Sequence, residues 1–162
     1  MTASLFPGYI LDTCTIIELC RRMSPPELRH SALSIVEKLI QTRQIKSPEE
    51  VYLELKDRAK GGDVVLAWCD RNRDIFEDMT DQQQQNLAVV LADFENAVKV
   101  NIGKFDADPI LVAMSLESGW AVVTRDGYGA NEGKIGVHQM CERFDVRCIT
   151  EFEFLKENGW SI

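Results

Sequence analysis

No stretch of this 162-residue chain is apolar for long enough to span a membrane. Runs such as 64–68 and 121–123 fall far short of the ~20 apolar residues a spanning helix needs. The opening Met1-Thr2-Ala3-Ser4 lacks the basic start and apolar stretch of an export signal, so a cytoplasmic location and no membrane partner are expected. Histidine is nearly missing, with only His30 and His138 present. The five cysteines (Cys14, Cys20, Cys69, Cys141, Cys148) make an odd number without a CxxC pair. Both a disulfide framework and a zinc cage are thereby excluded, and the cysteines read as reduced, mostly buried small apolar side chains. Positive charge is scarce too: 18 Lys and Arg against 26 Asp and Glu leave a net charge of -8. Holding nucleic acid by general electrostatic attraction depends on an excess of Lys and Arg that releases counterions, and this chain has none. Metal-bridged phosphate binding remains open. The Gly-rich segment 128–136 lacks the spacing of a phosphate-binding loop.

What is present is an ordinary globular composition, 45% hydrophobic and 27% charged, sufficient for one sizeable core and one domain over 1–162. Gly8-Tyr9-Ile10-Leu11-Asp12 is a short apolar run ending in an acid, and the residues after it take up helical spacing. Ser24-Pro25-Pro26-Glu27 and Ser47-Pro48-Glu49-Glu50 both have the cap-and-proline form of a helix start. The first opens a helix to about Gln41. The second follows a minimal strand at 44–46 and opens a helix carrying Val51, Glu54 and Leu55. From Asp63 to Met79 the pattern is helical but interrupted near Asn72, and Thr80 caps a further helix whose first turn is the solvated Gln82 to Gln85 tract. Phe105-Asp106-Ala107-Asp108-Pro109 then starts a helix that a Gly break at Gly119 ends, and an apolar strand delivers Thr124-Arg125-Asp126. A helix over 137–144, a strand at 146–149 and a helix from Glu151 close the chain. Strands near residues 9, 45, 121 and 147 alternating with helices predict an α/β domain with a parallel sheet, with a helical pair inserted between 63 and 100.

Ligand sites of open parallel sheets form outside the carboxyl ends of the strands, where Asp12 and Asp126 are expected. Asp108 and Glu54 reach the same side if the crossovers are right-handed. Two carboxylates about 4 Å apart repel by roughly 4 kcal/mol at an effective dielectric of about 20, so four converging acids call for a divalent cation. Oxygen-only ligands suit Mg²⁺ or Mn²⁺, and the reaction this implies is phosphodiester hydrolysis.

The segments 9–19 (YILDTCTIIEL), 50–55 (EVYLEL), 107–113 (ADPILVA) and 122–126 (VVTRD) resemble, in order, the successive motifs of PIN-domain nucleases. The resemblance is strongest to toxin ribonucleases of VapC type and their uncharacterised bacterial relatives. It implies a three-layer α/β/α PIN-like fold and Mg²⁺- or Mn²⁺-dependent endonucleolytic cleavage of RNA. It further implies a cognate antitoxin protein that silences the toxin, and a homodimer. Asp12, Glu54 and Asp108 match the family's three most regular acids and Asp126 its more variable fourth, as catalytic and metal-ligating residues. Thr13 and Thr124 are candidates for orienting those acids. Cys14 departs from the Asn or Ser more usual after the Asp-Thr pair, which implies weaker hydrogen bonding around Asp12 and lower activity or an altered metal preference.

Each feature also has a plainer reading. Asp108 before Pro109 has the form of a helix N-cap, Asp106 that of a loop acid, and Glu50, one turn before Glu54, can replace it as ligand. Arg21, Arg22 and Arg125 read as solvated surface charges, and Trp68, Trp120 and Trp160 as core or core-edge residues. The competing function is a catalytically weak or inactive PIN-like module that binds RNA or a protein partner. A haloacid-dehalogenase-like phosphatase fails because the second Asp it needs is Cys14. A phosphoacceptor receiver domain fails because Asp12 has no acidic neighbour and 148–150 offers no Lys.

Overall fold

The computed structural model describes residues 8–59, 61–93, 107–125 and 136–161. Five short strands form one sheet: β1 Tyr9–Leu11, β2 Ile45–Pro48, β3 Phe76–Glu77, β4 Ala121–Val123 and β5 Cys148–Ile149. Their order across the sheet is β3-β2-β1-β4-β5, and every neighbouring pair is parallel. The helices are α1 Thr13–Ile17, α2 Pro26–Gln41, α3 Glu49–Arg58, α4 Val64–Arg71, α5 Asp81–Asp93, α6 Asp108–Ser118, α7 Val137–Arg143 and α8 Glu151–Glu157. One π-helical turn, Glu18–Arg22, continues α1.

The strands can be this short because they are buried on both faces, and the period of two then sorts their side chains between two cores. Tyr9, Leu11, Ile45, Ala121, Val123 and Ile149 face one core, filled by α1–α4 and by Phe154 and Leu155 of α8. Ile10 and Val122 face the other, filled by Val90 of α5, Leu111 and Met114 of α6, and Met140 and Cys141 of α7. The result is a three-layer α/β/α arrangement around a central parallel sheet: the periodicity predicts the parallel sheet, and the resemblance implies the layering. Gly119 ends α6 at φ 72°, a left-handed position natural to glycine. Gly8 admits the indole of Trp120 so closely that a Cβ there would lie 2.3 Å from the ring.

Two expectations change. The segment 63–79 is not one interrupted helix: α4 stops at Arg71, a 3₁₀ turn spans Arg73–Ile75, and Phe76–Glu77 adds an edge strand beside β2. Its apolar pattern cannot separate a short buried strand from a helix turn, because both present Ile75 and Phe76 to the core. Nor do the two serines cap helices. Pro25 stands at the N-cap of α2 and Pro48 at that of α3, neither with a side-chain cap bond. Ser47 instead donates from Oγ to the Leu11 carbonyl at 2.7 Å, tying β2 to β1. Thr80 does cap α5, accepting the Gln83 N–H at 3.1 Å while Gln83 Oε1 accepts the Thr80 N–H at 2.9 Å.

Candidate active site at the sheet's carboxyl edge

From β1 the chain moves outward through β2 to β3, then returns to lay β4 and β5 on the other side of β1. The topological switch point therefore lies between β1 and β4, where an open α/β sheet forms a crevice at its carboxyl edge. Asp12 follows β1 and Thr124 follows β4, so the switch point lies between these two residues. The Asp12 N–H donates to the Val123 carbonyl at 3.1 Å, and Thr15 Oγ1 donates to the same carbonyl at 2.8 Å.

Asp12 is 4% exposed and acts as N-cap of α1. Its Oδ1 accepts the Thr13 N–H at 2.7 Å, and its Oδ2 accepts the Thr124 hydroxyl at 2.6 Å and the Cys14 thiol at 3.5 Å. Burial, helped by the Asp12 charge, pushes the Cys14 thiol up to about 11, so it stays protonated and serves as a donor. Cys14 thus adds an orienting donor to Asp12, at sulfur's longer range. Thr13 extends the chain of contacts, donating from Oγ1 to Glu54 Oε2 at 2.9 Å, while Arg58 Nη2 holds Glu54 Oε1 at 2.7 Å. Thr13 and Thr124, read from sequence as strand-end residues or as donors to the acids, each donate to one: Thr13 to Glu54 and Thr124 to Asp12.

Asp108 is the first residue of α6, and Ala107 occupies the N-cap position, so the N-cap reading of Asp108 does not hold. Cys141 on α7, whose thiol is raised first by its hydrogen bond to Cys148 and then by burial, also feels the charges of Asp12 and Asp108. Because α6 leads into the parallel strand β4 and so runs back against it, its first residue, Asp108, starts at the same carboxyl edge as Asp12. Asp126 and Asp106 lie outside the described residues. Among the described residues, no three His, Cys, Asp or Glu side chains stand close enough together to hold a metal ion. Glu50, on the face of α3 that also carries Glu54, has a buried Oε2 without a hydrogen-bond partner.

One expectation at this edge is refined. Arg125 is exposed, as expected of a surface charge, but it is also paired: its Nε meets Glu151, and its Nη2 lies 3.5 Å from Glu18 Oε1. Its backbone N–H donates to Cys14 Sγ at 3.5 Å. Glu151 is fully buried, with Oε2 unpartnered. Sequence reasoning missed Glu18 and Glu151. The signal for Glu151 was available, since it follows a strand end and the capping Thr150, the same kind of position that singles out Asp12.

The donor chemistry at this edge is carboxylate oxygen, the kind a hard divalent cation takes: Asp12 is held by N–H, hydroxyl and thiol donors, and Glu50 keeps one buried oxygen unused.

Comparisons with known proteins agree with this architecture. The family model described as Domain of unknown function (DUF4411) matches residues 9–162. No curated protein matches in sequence. Among solved structures, FitAcB from Neisseria gonorrhoeae superposes with a TM-score of 0.52 at 16% identity, covering 89% of this chain and 98% of that one. VapBC2 from Rickettsia felis, bound to a DNA fragment from its promoter, gives 0.51 at 16% identity over 78% of this chain and 95% of that one. FitAB bound to an IR36 DNA fragment gives 0.51 at 15% identity over 89% and 95%. These likenesses establish the fold as the PIN-like α/β/α fold of FitB and VapC proteins.

Proposed function

Because the chain belongs to the DUF4411 family and has the PIN-like fold, we propose that it is a metal-dependent endoribonuclease, the toxin of a toxin-antitoxin pair, acting in the cytoplasm as one domain over 1–162. The observation that carries the reading is Thr13, which orients Asp12 through its N–H and reaches Glu54 through its hydroxyl. One threonine thus joins the first two acids of the motif series at the switch point of the sheet.

Asp12, Glu54, Asp108 and Asp126 would hold Mg²⁺ or Mn²⁺, which when bound activates a water and stabilises the leaving oxygen in phosphodiester hydrolysis. The protein's own part is orientation. Thr124 and Cys14 fix one oxygen of Asp12 and the Thr13 N–H the other, so the carboxylate meets a ligand without first losing rotational freedom. Arg58 and Thr13 hold Glu54 in the same way. A cognate antitoxin and a homodimer complete the proposal, in keeping with neighbours solved as FitAB and VapBC2 assemblies.

The test is cleavage of single-stranded RNA by purified protein in Mg²⁺ or Mn²⁺, with Asp12→Asn and Asp108→Asn as controls. Activity is expected to vanish in both, and equal activity in either variant after rigorous purification overturns the reading.

One observation favours a second reading, a PIN-like module without catalysis: Arg58 already neutralises Glu54, at 2.7 Å. Thermal melting against Mn²⁺ separates the two, because a cation bound only by the folded state raises the melting temperature as it saturates. A flat response at millimolar Mn²⁺ selects the binding module.

A further inference from the structure

Among the described residues the exposed large apolar side chains are Leu53, Val64, Val89, Leu116 and Phe152, and of these Phe152 alone is aromatic. It sits in the first turn of α8, just past β5, and so at the carboxyl edge of the sheet. Its ring is 43% exposed. Behind it lies Trp160, 7% exposed, with the ring centroids 6.3 Å apart. Over the ring lies the Arg125 guanidinium, 5.8 Å from its centroid. An aromatic ring left open to solvent is costly unless something covers it, and Trp160 and Arg125 hold this one in place.

Arg125 is fixed by the buried Glu151 and by Glu18, yet 46% of its side chain remains exposed. The same residue is covalently next to Thr124, which donates to Asp12, and its N–H reaches Cys14. Arg125 is thus one residue from the hydroxyl that orients Asp12, and its guanidinium and the Phe152 ring share the sheet's carboxyl edge with the acids. In a chain of net charge -8, an ordered cation at this edge is a specific feature, not part of a general basic surface.

We propose that Phe152 and Arg125 form a subsite for one nucleotide of single-stranded RNA, the base stacking on the Phe152 ring and its phosphate meeting the Arg125 guanidinium. The proposal rests on the RNA reading above and names where the substrate lies. Single strands are the matching ligand because only an unpaired base can offer its π-face to a side chain, and one stack plus one phosphate contact does not need a basic groove. Stacking tolerates any base, so the subsite sets the strand's position without choosing its sequence.

The experiment uses the full chain in the Asp108→Asn background, in which cleavage is not expected, and a fluorescent single-stranded RNA oligonucleotide in Mn²⁺. Binding is read by anisotropy and integrity of the RNA on a gel. Phe152→Ala is expected to weaken binding about 5- to 150-fold, the worth of one base stack, and Phe152→Tyr to stay within about twofold of the parent. Replacing single nucleotides by abasic ones should weaken the parent at one position and have no further effect there in Phe152→Ala. Neutralising the ion pair as Arg125→Gln with Glu151→Gln avoids stranding a buried carboxylate, and should reduce the slope of log affinity against log salt by about 0.7. Melting temperatures of the variants verify that they are folded. Parent binding that Phe152→Ala leaves within twofold overturns this subsite alone. A parent that does not bind the oligonucleotide overturns the subsite and the RNA reading together.

Discussion

Both ends of the sheet pair acids with arginines, but they differ in how completely those acids are satisfied. At the amino edge, where α8 ends beside the start of β1, Glu157 accepts from the Tyr9 hydroxyl at 2.5 Å and is paired with Arg147 through both of its oxygens. Asn158 donates to the same tyrosine oxygen at 3.0 Å. Burial opposes the charge on Glu157, but the hydrogen bonds from Arg147 and Tyr9 outweigh it and hold the carboxyl below its usual value. At the carboxyl edge, Glu50 and Glu151 each keep a buried oxygen without a partner, and Asp12 is held by a backbone N–H, a hydroxyl and a thiol. One edge satisfies its acid with a cation and closes the helix onto the sheet. The other orients its acids and leaves acceptor capacity unused, which costs stability unless a ligand takes it up. The difference is that between an edge built to hold the fold and one built to hold something else.

The contrast can be broken from either side. Asp12→Asn is expected to reduce RNA cleavage to background while leaving the melting temperature nearly unchanged, because the amide oxygen still accepts the Thr13 N–H and the amide NH2 can donate to the Thr124 hydroxyl, which reverses that bond without stranding a buried group. A large drop in melting temperature would reassign Asp12 to the stabilising class. Thr124→Val removes one donor to Asp12 and should lower activity or Mn²⁺ affinity about 10- to 100-fold, measured by initial rates and by metal titration. Arg125→Ala leaves Glu151 buried beside an empty place. Loss of a buried ion pair costs about 3–5 kcal/mol, and with Arg125 46% exposed the expected destabilisation is about 2–3 kcal/mol in urea unfolding. At the amino edge, Tyr9→Phe deletes the hydroxyl shared by Glu157 and Asn158, which should cost about 1.5 kcal/mol and leave cleavage untouched.

The smallest effect is one of pH. The folded-state value of Glu157 lies below its ordinary 4.5, so the folded protein binds fewer protons there than the unfolded chain. Its stabilisation is present above 4.5 and is lost as pH falls through the lowered value. Glu157→Gln should therefore be less stable than wild type at neutral pH and lose less on acidification below 4.5, in parallel urea melts across that range. A constant gap between the two proteins would show that the charge on Glu157 does not drive the difference.

Legibility differed between these edges for physical reasons. Asp12 and Asp108 stand next to strong local signals, an apolar strand and a proline-led helix start, so sequence alone marked them as candidates. Glu54 was legible only through its place in the motif series, since an acid on a helix surface has no local signature. The pairing of Arg125 was not legible because its partners Glu18 and Glu151, 107 and 26 residues away, leave no mark in the residues around it. The edge strand at 76–77 escaped notice because two residues are too few to show a period of two.

Sequence by itself determined the layered α/β class and the helix and strand order over most of the described chain. Apolar periodicity is a local property, and it decides which faces must be covered. It also determined the order of the acidic motifs. Only the tertiary structure decided which acids have company. Packing brought Thr124 onto Asp12, Thr13 onto Glu54 and Arg125 between Glu18 and Glu151, and it left oxygens of Glu50 and Glu151 unpartnered. These are contacts between segments far apart in the chain, and their hydrogen bonds exist only after the parallel sheet has set its register.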